Sequence, residues 1–360
     1  MLDTFNFRNE LGKMTPKIAE GAKIYIFGAG GAWEDICKQY KYLVNIDLNT
    51  CIDGFIDNDT NKQGSQFHGK PVYALSNVAL DNAVVMISSW KWRFEIVEQL
   101  TSAGLFFRHS FFTGECFMAL LMRWEYLRLL QFKDKHKGER CFVIGNGPSL
   151  TSSDLDKIKD EVTFATNKIY LMFDKTEWRP SYYAIADDVF LKEAHKLIKD
   201  KITCPIFYAY NYIFEFDEFS LNNDYFYCVD GRADYHPYPY NKPDFSEEPF
   251  MLQWGSTVTY SCLQLAAYMG FSEITLIGVD NTSLRYIDFD GTLHLNDSES
   301  EYHFSQSYDE SPYYVCMKYM WEPAYQSARD YCEAHGIKIR NATRGGELEI
   351  FERVDFDSLF

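Results

Sequence analysis

Short apolar runs alternate with longer stretches of helical spacing along the first third of the chain. Apolar runs of this length are typical of strands that are buried on both faces of a parallel sheet. The pattern predicts strands at residues 23–27, near residues 54–58 and at residues 84–88, and a helix at residues 93–103. Strands that alternate with helices form a parallel sheet with right-handed crossovers, so we predict a Rossmann-like domain over residues 1–112.

The same pattern restarts after a linker. Residues 115–132 carry apolar positions at helical spacing and the following residues are polar, which predicts a linking helix and hinge at residues 113–137. Further strands are predicted at residues 141–144, 162–166, 182–186, 205–208, 274–277 and 337–340, and helices at residues 153–159 and 257–269. The expected fold class is α/β, with two Rossmann-like domains in series, each with a mainly parallel sheet, and the second domain covers residues 138–360.

Two long segments interrupt the second domain. Residues 231–250 are rich in Tyr, Pro and Asp, and residues 281–312 are rich in Asp, Ser and His. Connections of this length inside a compact domain are usually functional lids or disordered segments, and the aromatic content of these two favours lids.

Composition narrows the class of protein. The formal net charge is −17, and an acidic chain repels phosphate backbones, which argues against nucleic acid as a partner. The nine Cys are odd in number and form no CxxC pair, which indicates reduced, buried thiols. No basic-then-apolar leader and no long apolar run is present, so we expect a cytoplasmic protein without a transmembrane segment. Peripheral association with the inner face of the membrane and homo-oligomerisation are left open.

A glycine loop follows the first predicted strand. Residues 28–33 read Gly-Ala-Gly-Gly-Ala-Trp, so the third glycine of a dinucleotide fingerprint is replaced by Trp33. We expect this bulky side chain to hinder close packing of strand and helix. Asp53 and Asp57 are both candidates for the acidic residue of the fingerprint, and the sequence leaves a tight turn and a nucleotide site as equal alternatives. Residues 54–73 resemble the small N-terminal domains of many bacterial surface-sugar enzymes.

A second glycine loop, at residues 145–149, is more informative. Gly145 and Gly147 allow close backbone approach to a ligand, and free N–H groups where a strand, a loop and a helix meet suit a phosphate. The loop has no Lys, so it is not a Walker loop. Asn146 and Ser149 add polar side chains.

Three other predicted strands also end in polar residues, namely Asn167, Asp187 and Asp280. Open α/β sheets bind ligands at the carboxyl ends of their strands. We therefore predict a nucleotide-binding crevice at this edge of the second domain, in which the amides of Asn146 and Asn167 contact the base or ribose.

The Gly-Asn-Gly-Pro-Ser-Leu loop, the Asn that ends the next strand, Gly-Ser-Thr at 255–257 and Gly-Val-Asp at 278–280 together resemble two related families. One is the bacterial sialyltransferases that use CMP-sialic acid, and the other is the family similar to archaeal 6-hydroxymethylpterin diphosphokinase. The closing motif at residues 341–349 resembles the second family. The resemblance covers roughly residues 138–355.

The resemblance implies roles for individual residues. Asn146, Ser149 and Asn167 match positions that hold the nucleotide, and Ser256, followed by Thr257, matches a position near the donor. The sialyltransferases carry a catalytic tyrosine where this chain has Asn281 and Thr282, and Tyr286 is then the candidate tyrosine. The catalytic histidine of that family lies in the region of His303, with His294 and His236 as weaker rivals.

The two families that the chain resembles imply different metal requirements. The sialyltransferase resemblance implies chemistry without a metal, and no cofactor is assigned. If the ligand is ATP, Asp187 and Asp280, which we expect at neighbouring strand ends, form a candidate Mg²⁺ pair. Asp288 and Asp290 form a DxD triplet to which we give little weight in so acidic a chain.

Three hypotheses follow. The favoured one is a glycosyltransferase-like enzyme of bacterial surface-glycan synthesis that uses a nucleotide-activated sugar, with a CMP-sugar preferred, and a glycan acceptor. The second is a Mg-ATP-dependent diphosphotransferase. The third is a nucleotide-sugar-binding protein without catalytic activity.

Overall fold

The chain divides into two compact units, the first ending at Arg128 and the second beginning at Leu129. In this computed structural model the described residues are 5–209, 223–227, 229–230, 242–246, 248, 252–282, 285–287, 292–295 and 316–360. Among the described residues, no helix is both long enough and apolar enough to cross a membrane.

The first unit contains a six-stranded sheet in the order β3-β4-β2-β1-β5-β6. Its strands are β1 (Lys23–Phe27), β2 (Gly54–Ile56), β3 (Gln66–Phe67), β4 (Lys70–Tyr73), β5 (Ala83–Ile87) and β6 (Phe111–Phe112). All pairs are parallel except β3 with β4. The central strands β1 and β5 are buried almost throughout, as expected for apolar strands covered on both faces.

The α-helices described in this part of the chain are α1 (Phe7–Gly12), α2 (Pro16–Ala19), α3 (Gly31–Val44), α4 (Arg93–Ser102) and α5 (Glu115–Leu129), whose last residue belongs to the second unit. Trp33, which stands in place of the fingerprint's third glycine, is itself part of the core. Its ring is fully buried, packs edge-on against Phe55 and Phe117, and donates from Nε1 to Asn49 at 2.9 Å. An aromatic residue therefore fills the space beneath α3 that a glycine would leave to closer backbone packing.

The second unit contains an eight-stranded sheet. Its strands are β7 (Arg140–Ile144), β8 (Val162–Thr166), β9 (Tyr182–Ile185), β10 (Ile206–Ala209), β11 (Asp224–Tyr227), β14 (Glu273–Ile277), β18 (Lys338–Asn341) and β19 (Glu352–Arg353), in the order β11-β10-β9-β8-β7-β14-β18-β19. Every pair is parallel. The prediction of two α/β units with mainly parallel sheets is confirmed.

The helices described in this unit are α6 (Ser152–Lys157), α7 (Asp188–Lys201), α8 (Val258–Tyr268) and α9 (Lys318–Ala334). Nearly all of α8 is buried, because one side packs against β7, β8 and β9 and another against α9. Since α8 precedes the parallel strand β14, its N-terminus lies at the edge where the strands end.

Short elements lie in and near the two segments expected to be lids. The strands β12 (Val229–Asp230) and β13 (Leu252–Gln253) pair with each other, and β15 (Arg285–Ile287) pairs with β16 (Leu293–Leu295) and β17 (Cys316–Met317). The described part of residues 281–312 thus contains two short strands. Most of both segments lies outside the described residues, and the lid hypothesis stays a prediction.

Candidate functional site

Three adjacent strands bring most of the predicted residues to one edge of the second sheet. The order β8-β7-β14 makes the loops that follow these strands neighbours. Asn167 follows β8, the glycine loop at residues 145–149 follows β7, and Asp280 follows β14. All three loops lie at the carboxyl edge, the expected ligand-binding position of an open α/β sheet.

The glycines of the loop after β7 are required by internal packing. A Cβ on Gly145 would lie 2.3 Å from the carbonyl oxygen of Gly278, and one on Gly147 would lie 1.7 Å from Oδ2 of Asp280. The N–H groups of Gly145 and Gly147 donate to the carbonyl groups of Ile277 and Gly278 at 2.9 and 2.8 Å. The expectation that these two N–H groups are free for a phosphate is therefore not met.

Asp280 places a carboxyl group among the loops that follow β8, β7 and β14. Its side chain is buried, and Oδ2 accepts a hydrogen bond of 2.8 Å from Oγ of Ser149. Burial raises the pKa of the Asp280 carboxyl, while the hydrogen bonds from Ser149 oppose that change. Ser149 and Asp280, which were predicted separately as site residues, are thus in direct contact.

The asparagines offer unused hydrogen-bonding atoms at this edge. Nδ2 of Asn146 donates to the carbonyl oxygen and the hydroxyl of Thr166 at 3.0 and 3.2 Å, which joins the loops after β7 and β8. Within the described part of the chain, Oδ1 of Asn146, Oδ1 of Asn167 and both amide atoms of Asn281 are buried without a hydrogen-bond partner. Asn281 carries no such role in the sequence-based prediction.

Backbone strain concentrates at the same edge. Asn167, Ser256 and Asn281 have left-handed backbones with φ of 45°, 53° and 58°. Among the described non-glycine residues of the second unit, only Asp134 shares a positive φ. Asparagine tolerates this conformation better than serine, and such strain clusters at functional sites.

Ser256 and Thr257 stand at the start of α8, at the carboxyl edge. The Thr257 side chain accepts a hydrogen bond of 3.3 Å from the backbone N–H of Thr259 and caps the helix. A Cβ on Gly255 would lie 2.6 Å from both Ala324 and Tyr260, so this glycine is needed for packing. Nothing described joins Ser256 directly to Asn146, and its role at the donor stays a prediction.

Asp187 lies further along the edge than expected. Its Oδ1 accepts a hydrogen bond of 2.7 Å from the N–H of Phe190 and caps α7. Strands β8 and β7 lie between β9 and β14, so the strand ends of Asp187 and Asp280 are not neighbours. Three strand spacings amount to roughly 14 Å, too far for direct coordination of one ion by both carboxylates. Among the residues that the structure describes, no group of three or more His, Cys, Asp or Glu could hold a metal.

The predicted catalytic residues are only partly covered. His303, His236 and the Asp288–Asp290 triplet lie outside the described residues. The backbone of Tyr286 is part of β15, where it pairs with His294 of β16 in antiparallel register.

The closing motif at residues 341–349 is hydrogen-bonded to the loop after β14, which carries Asp280. The N–H of Glu347 donates to the carbonyl oxygen of Asp280 at 2.7 Å, and the N–H of Val279 donates to Oγ1 of Thr343 at 3.1 Å. Arg353 donates to the carbonyl oxygens of Thr343 and Gly346 at 3.2 and 3.0 Å. The contacts with Val279 and Asp280 join residues that are far apart in the sequence, and the whole set spans the neighbouring strands β14, β18 and β19.

A family model agrees with the resemblance to the 6-hydroxymethylpterin diphosphokinase-like family. Residues 121–284 match the family model described as 6-hydroxymethylpterin diphosphokinase MptE-like, whose name is that of a transferase. A solved structure, the MAf glycosyltransferase from Magnetospirillum magneticum AMB-1, matches at 13% identity with a TM-score of 0.38. The match covers 99% of this chain and 63% of that one, so this chain spans less than two thirds of it. No curated protein matches.

Proposed function

We propose that the second unit binds a nucleotide-activated sugar at the carboxyl edge around β8, β7 and β14 and transfers the sugar to a glycan acceptor in bacterial surface-glycan synthesis. The observation that carries this proposal is the set of unpartnered, buried amide atoms of Asn146, Asn167 and Asn281. Buried polar groups are nearly always hydrogen-bonded, and leaving one unpaired costs about 1–3 kcal/mol. A bound nucleotide supplies the missing partners.

Amide groups suit a base or a ribose because each presents both donors and an acceptor. The loop at residues 145–150 contains no Lys or Arg, and its Gly145 and Gly147 N–H groups are used internally. A di- or triphosphate would need more positive charge than this loop offers. A CMP-sugar, which carries a single phosphate, fits the loop better, and we favour it as the donor without a metal requirement.

In the proposed reaction the hydroxyl oxygen of the acceptor bonds to the anomeric carbon of the sugar. The bond from that carbon to the phosphate oxygen breaks, and CMP leaves with the electron pair. We assign His303 as the base that takes the hydroxyl proton, because an imidazole changes protonation state near neutral pH. Tyr286 is the second candidate catalytic residue.

A donor screen tests the binding part of the proposal. We expect thermal shift or calorimetry of the whole chain to show binding of CMP in preference to CDP, UDP, GDP and ATP, unchanged by Mg²⁺ or EDTA. If none of the nucleotides binds, or if binding is insensitive to Asn146→Ala, the proposed donor site is wrong.

The catalytic assignment is a separate prediction. His303→Gln should lower turnover by ~10²–10⁴-fold and leave CMP affinity nearly unchanged, since a general base acts in the transition state. His335→Gln is the control, because His335 is exposed and lies at the end of α9. Equal turnover in the two variants would remove His303 from the mechanism.

The family match at residues 121–284 favours a second candidate, a Mg-ATP-dependent diphosphotransferase. This activity needs a divalent ion, and the separation of Asp187 from Asp280 speaks against direct coordination by that pair. An ATP-binding signal that appears only with Mg²⁺ and is lost in Asp187→Asn would support this candidate. Specific nucleotide-sugar binding without turnover on any acceptor would support a non-catalytic protein.

A further inference from the structure

The first unit contains a cavity of about 590 Å³ at the carboxyl edge of its own sheet. The chain runs from β1 outward through β2 and β4, and then returns to place β5 on the other side of β1. The loops after β1 and β5 therefore leave the sheet in opposite directions and open a crevice between them. In open α/β sheets such a reversal of strand order marks the ligand site, and volumes of about 300–1,000 Å³ are usual for ligand pockets.

At two positions that line this cavity, neither the packing nor the backbone conformation requires a glycine. A Cβ on Gly31 would meet nothing within 4 Å, and one on Gly30 would meet only Nζ of Lys62, at 3.9 Å. Neither residue has a positive φ; that of Gly30 is −172°. By contrast, Gly28 has a φ of +113° and its Cβ would lie 2.8 Å from Oγ of Ser88. Side chains at Gly30 and Gly31 would be tolerated by the protein but would enter the cavity.

Charged side chains of both signs line the cavity. They are the ammonium groups of Lys62 and Lys91 and the carboxylates of Asp57, Asp59 and Glu95. Nζ of Lys62 donates to the carbonyl oxygen of Ala29 at 2.8 Å and pairs with Oδ2 of Asp57 at 3.2 Å. The same Oδ2 accepts from the N–H of Ala29 at 2.9 Å, so this carboxylate already fixes the loop. Asp53, the other acidic candidate, pairs instead with Arg8 at 2.7 Å and precedes β2.

An exposed indole completes the lining. Trp92 contributes to the cavity and is 54% exposed, and Nζ of Lys91 lies 4.7 Å from its ring centroid. Trp90, two residues earlier, is 51% exposed but does not line the cavity. A large exposed aromatic face beside a positively charged group offers a stacking surface to a nucleobase.

We propose that this cavity is a second ligand site that binds a nucleoside diphosphate group, with the phosphates against Gly30, Gly31 and Lys62 and the base on Trp92. The 14-residue helix α3 begins at this cavity, and its first two residues, Gly31 and Ala32, line it with the positive end of the helix dipole. The site belongs wholly to the first unit and does not depend on the proposed donor site of the second.

Calorimetry on the whole chain tests this proposal. The Asn146→Ala variant serves as background, so that the proposed donor site is weakened. The probes are UDP, CDP, ADP and GDP, with pyrophosphate as the phosphate-only probe. We expect at least one nucleoside diphosphate to bind this background. Gly31→Leu should abolish that binding while the melting temperature is kept, because its side chain enters open space.

Paired substitutions then distinguish the contribution of the base to binding from that of the phosphates. Trp92→Ala should weaken nucleoside diphosphate binding about tenfold and leave pyrophosphate unchanged, whereas Trp90→Ala should change neither. Lys62→Ala should weaken both probes about tenfold. Equal isotherms for Trp92→Ala and Trp90→Ala would overturn the stacking role. An unchanged binding stoichiometry for nucleoside diphosphate in both Gly31→Leu and Lys62→Ala, or no binding to the background, would overturn the site itself.

Discussion

Single residues at the carboxyl edge of the second sheet keep polar atoms that the fold does not use. Asn146 ties two loops together through Nδ2 while its Oδ1 is left buried and unpartnered among the described residues. Asn281 leaves both amide atoms in that state. An apolar residue would avoid the cost of such burial, so these amides point to a ligand as their missing partner.

Asn146→Ala should therefore weaken CMP binding by about 1 kcal/mol, which is roughly fivefold in Kd. The variant loses the bonds to Thr166 but also loses a buried unpaired oxygen, so its melting temperature should stay close to that of the parent. Calorimetry and thermal unfolding measure the two effects. Asn223→Ala, at an exposed position just before β11, is the matched control and should change neither.

The raised pKa of Asp280 predicts how the stability of the protein depends on pH. Burial raises the pKa of its carboxyl in the folded protein. The stability that the protonated carboxyl contributes is fully present when the pH is below the pKa of Asp280 in the unfolded chain. It is lost as the pH rises through the raised pKa of the folded protein. At neutral pH the ionised group thus destabilises the fold, and Asp280→Asn should remove that effect.

Urea unfolding of parent and Asp280→Asn at pH 7 and near pH 4 measures this difference. The variant should gain stability relative to the parent at pH 7, and the gain should shrink towards acid as the parent carboxyl becomes protonated. Asp355→Asn, an exposed carboxylate near the C-terminus, is the control. A gain that is constant with pH would mean that the carboxyl of Asp280 has an ordinary pKa.

At the scale of elements, the site is built from loops that support one another. The loop after β7 packs backbone to backbone on the loop after β14, and the turn at residues 341–349 holds the second of these from the far side. Arg353 on β19 closes this turn by donating to three of its carbonyl groups, those of Thr343, Gly345 and Gly346. Side chains that never touch a ligand can therefore fix the position of Asp280.

Gly147→Ala should consequently disturb both loops. The new Cβ would overlap Oδ2 of Asp280, and we expect a loss of more than about 2 kcal/mol in unfolding free energy together with loss of CMP binding. Gly114→Ala is the control, since its Cβ would lie 3.4 Å from the nearest heavy atom and its φ is not positive. Similar stability of the two variants would contradict the packing described for Gly147.

At the scale of the whole molecule, stability rests on two sheets of buried apolar strands. The cysteines within these cores behave as small hydrophobic residues, and no disulfide is described between the seven cysteines that the structure covers fully. Burial raises the pKa of the Cys141 and Cys262 thiols, and that of Cys116 to about 12.

A thiol reagent at pH 8 should therefore leave Cys141 and Cys262 unlabelled in the native protein, since the thiolate is the reacting form. Both should react at once in denaturant. Peptide mapping by mass spectrometry assigns the sites, with the less buried Cys51 as the internal comparison. Fast native labelling of Cys141 would show that its strand opens readily.

The sequence by itself determined the two units and their parallel strands. Apolar runs such as residues 141–144 and 274–277 have few alternatives to burial in a sheet, and the burial of β7 and β14 follows that pattern. The sequence also predicted that Asn146, Asn167 and Asp280 lie at the same edge of the sheet, because each follows a strand and parallel strands end at one edge. These features depend on residues that are close together in the chain.

Only the tertiary structure decided how those strand ends are ordered. Strand order follows from crossovers and packing between distant segments, so sequence spacing could not show that β8 and β7 separate Asp187 from Asp280. The same holds for Gly147, whose missing side chain makes room for Asp280, and for Trp33, which fills a space enclosed partly by Phe55 and Phe117. Each of these outcomes depends on atoms contributed by residues far away in the chain, and contacts of that kind are fixed only when the chain has folded.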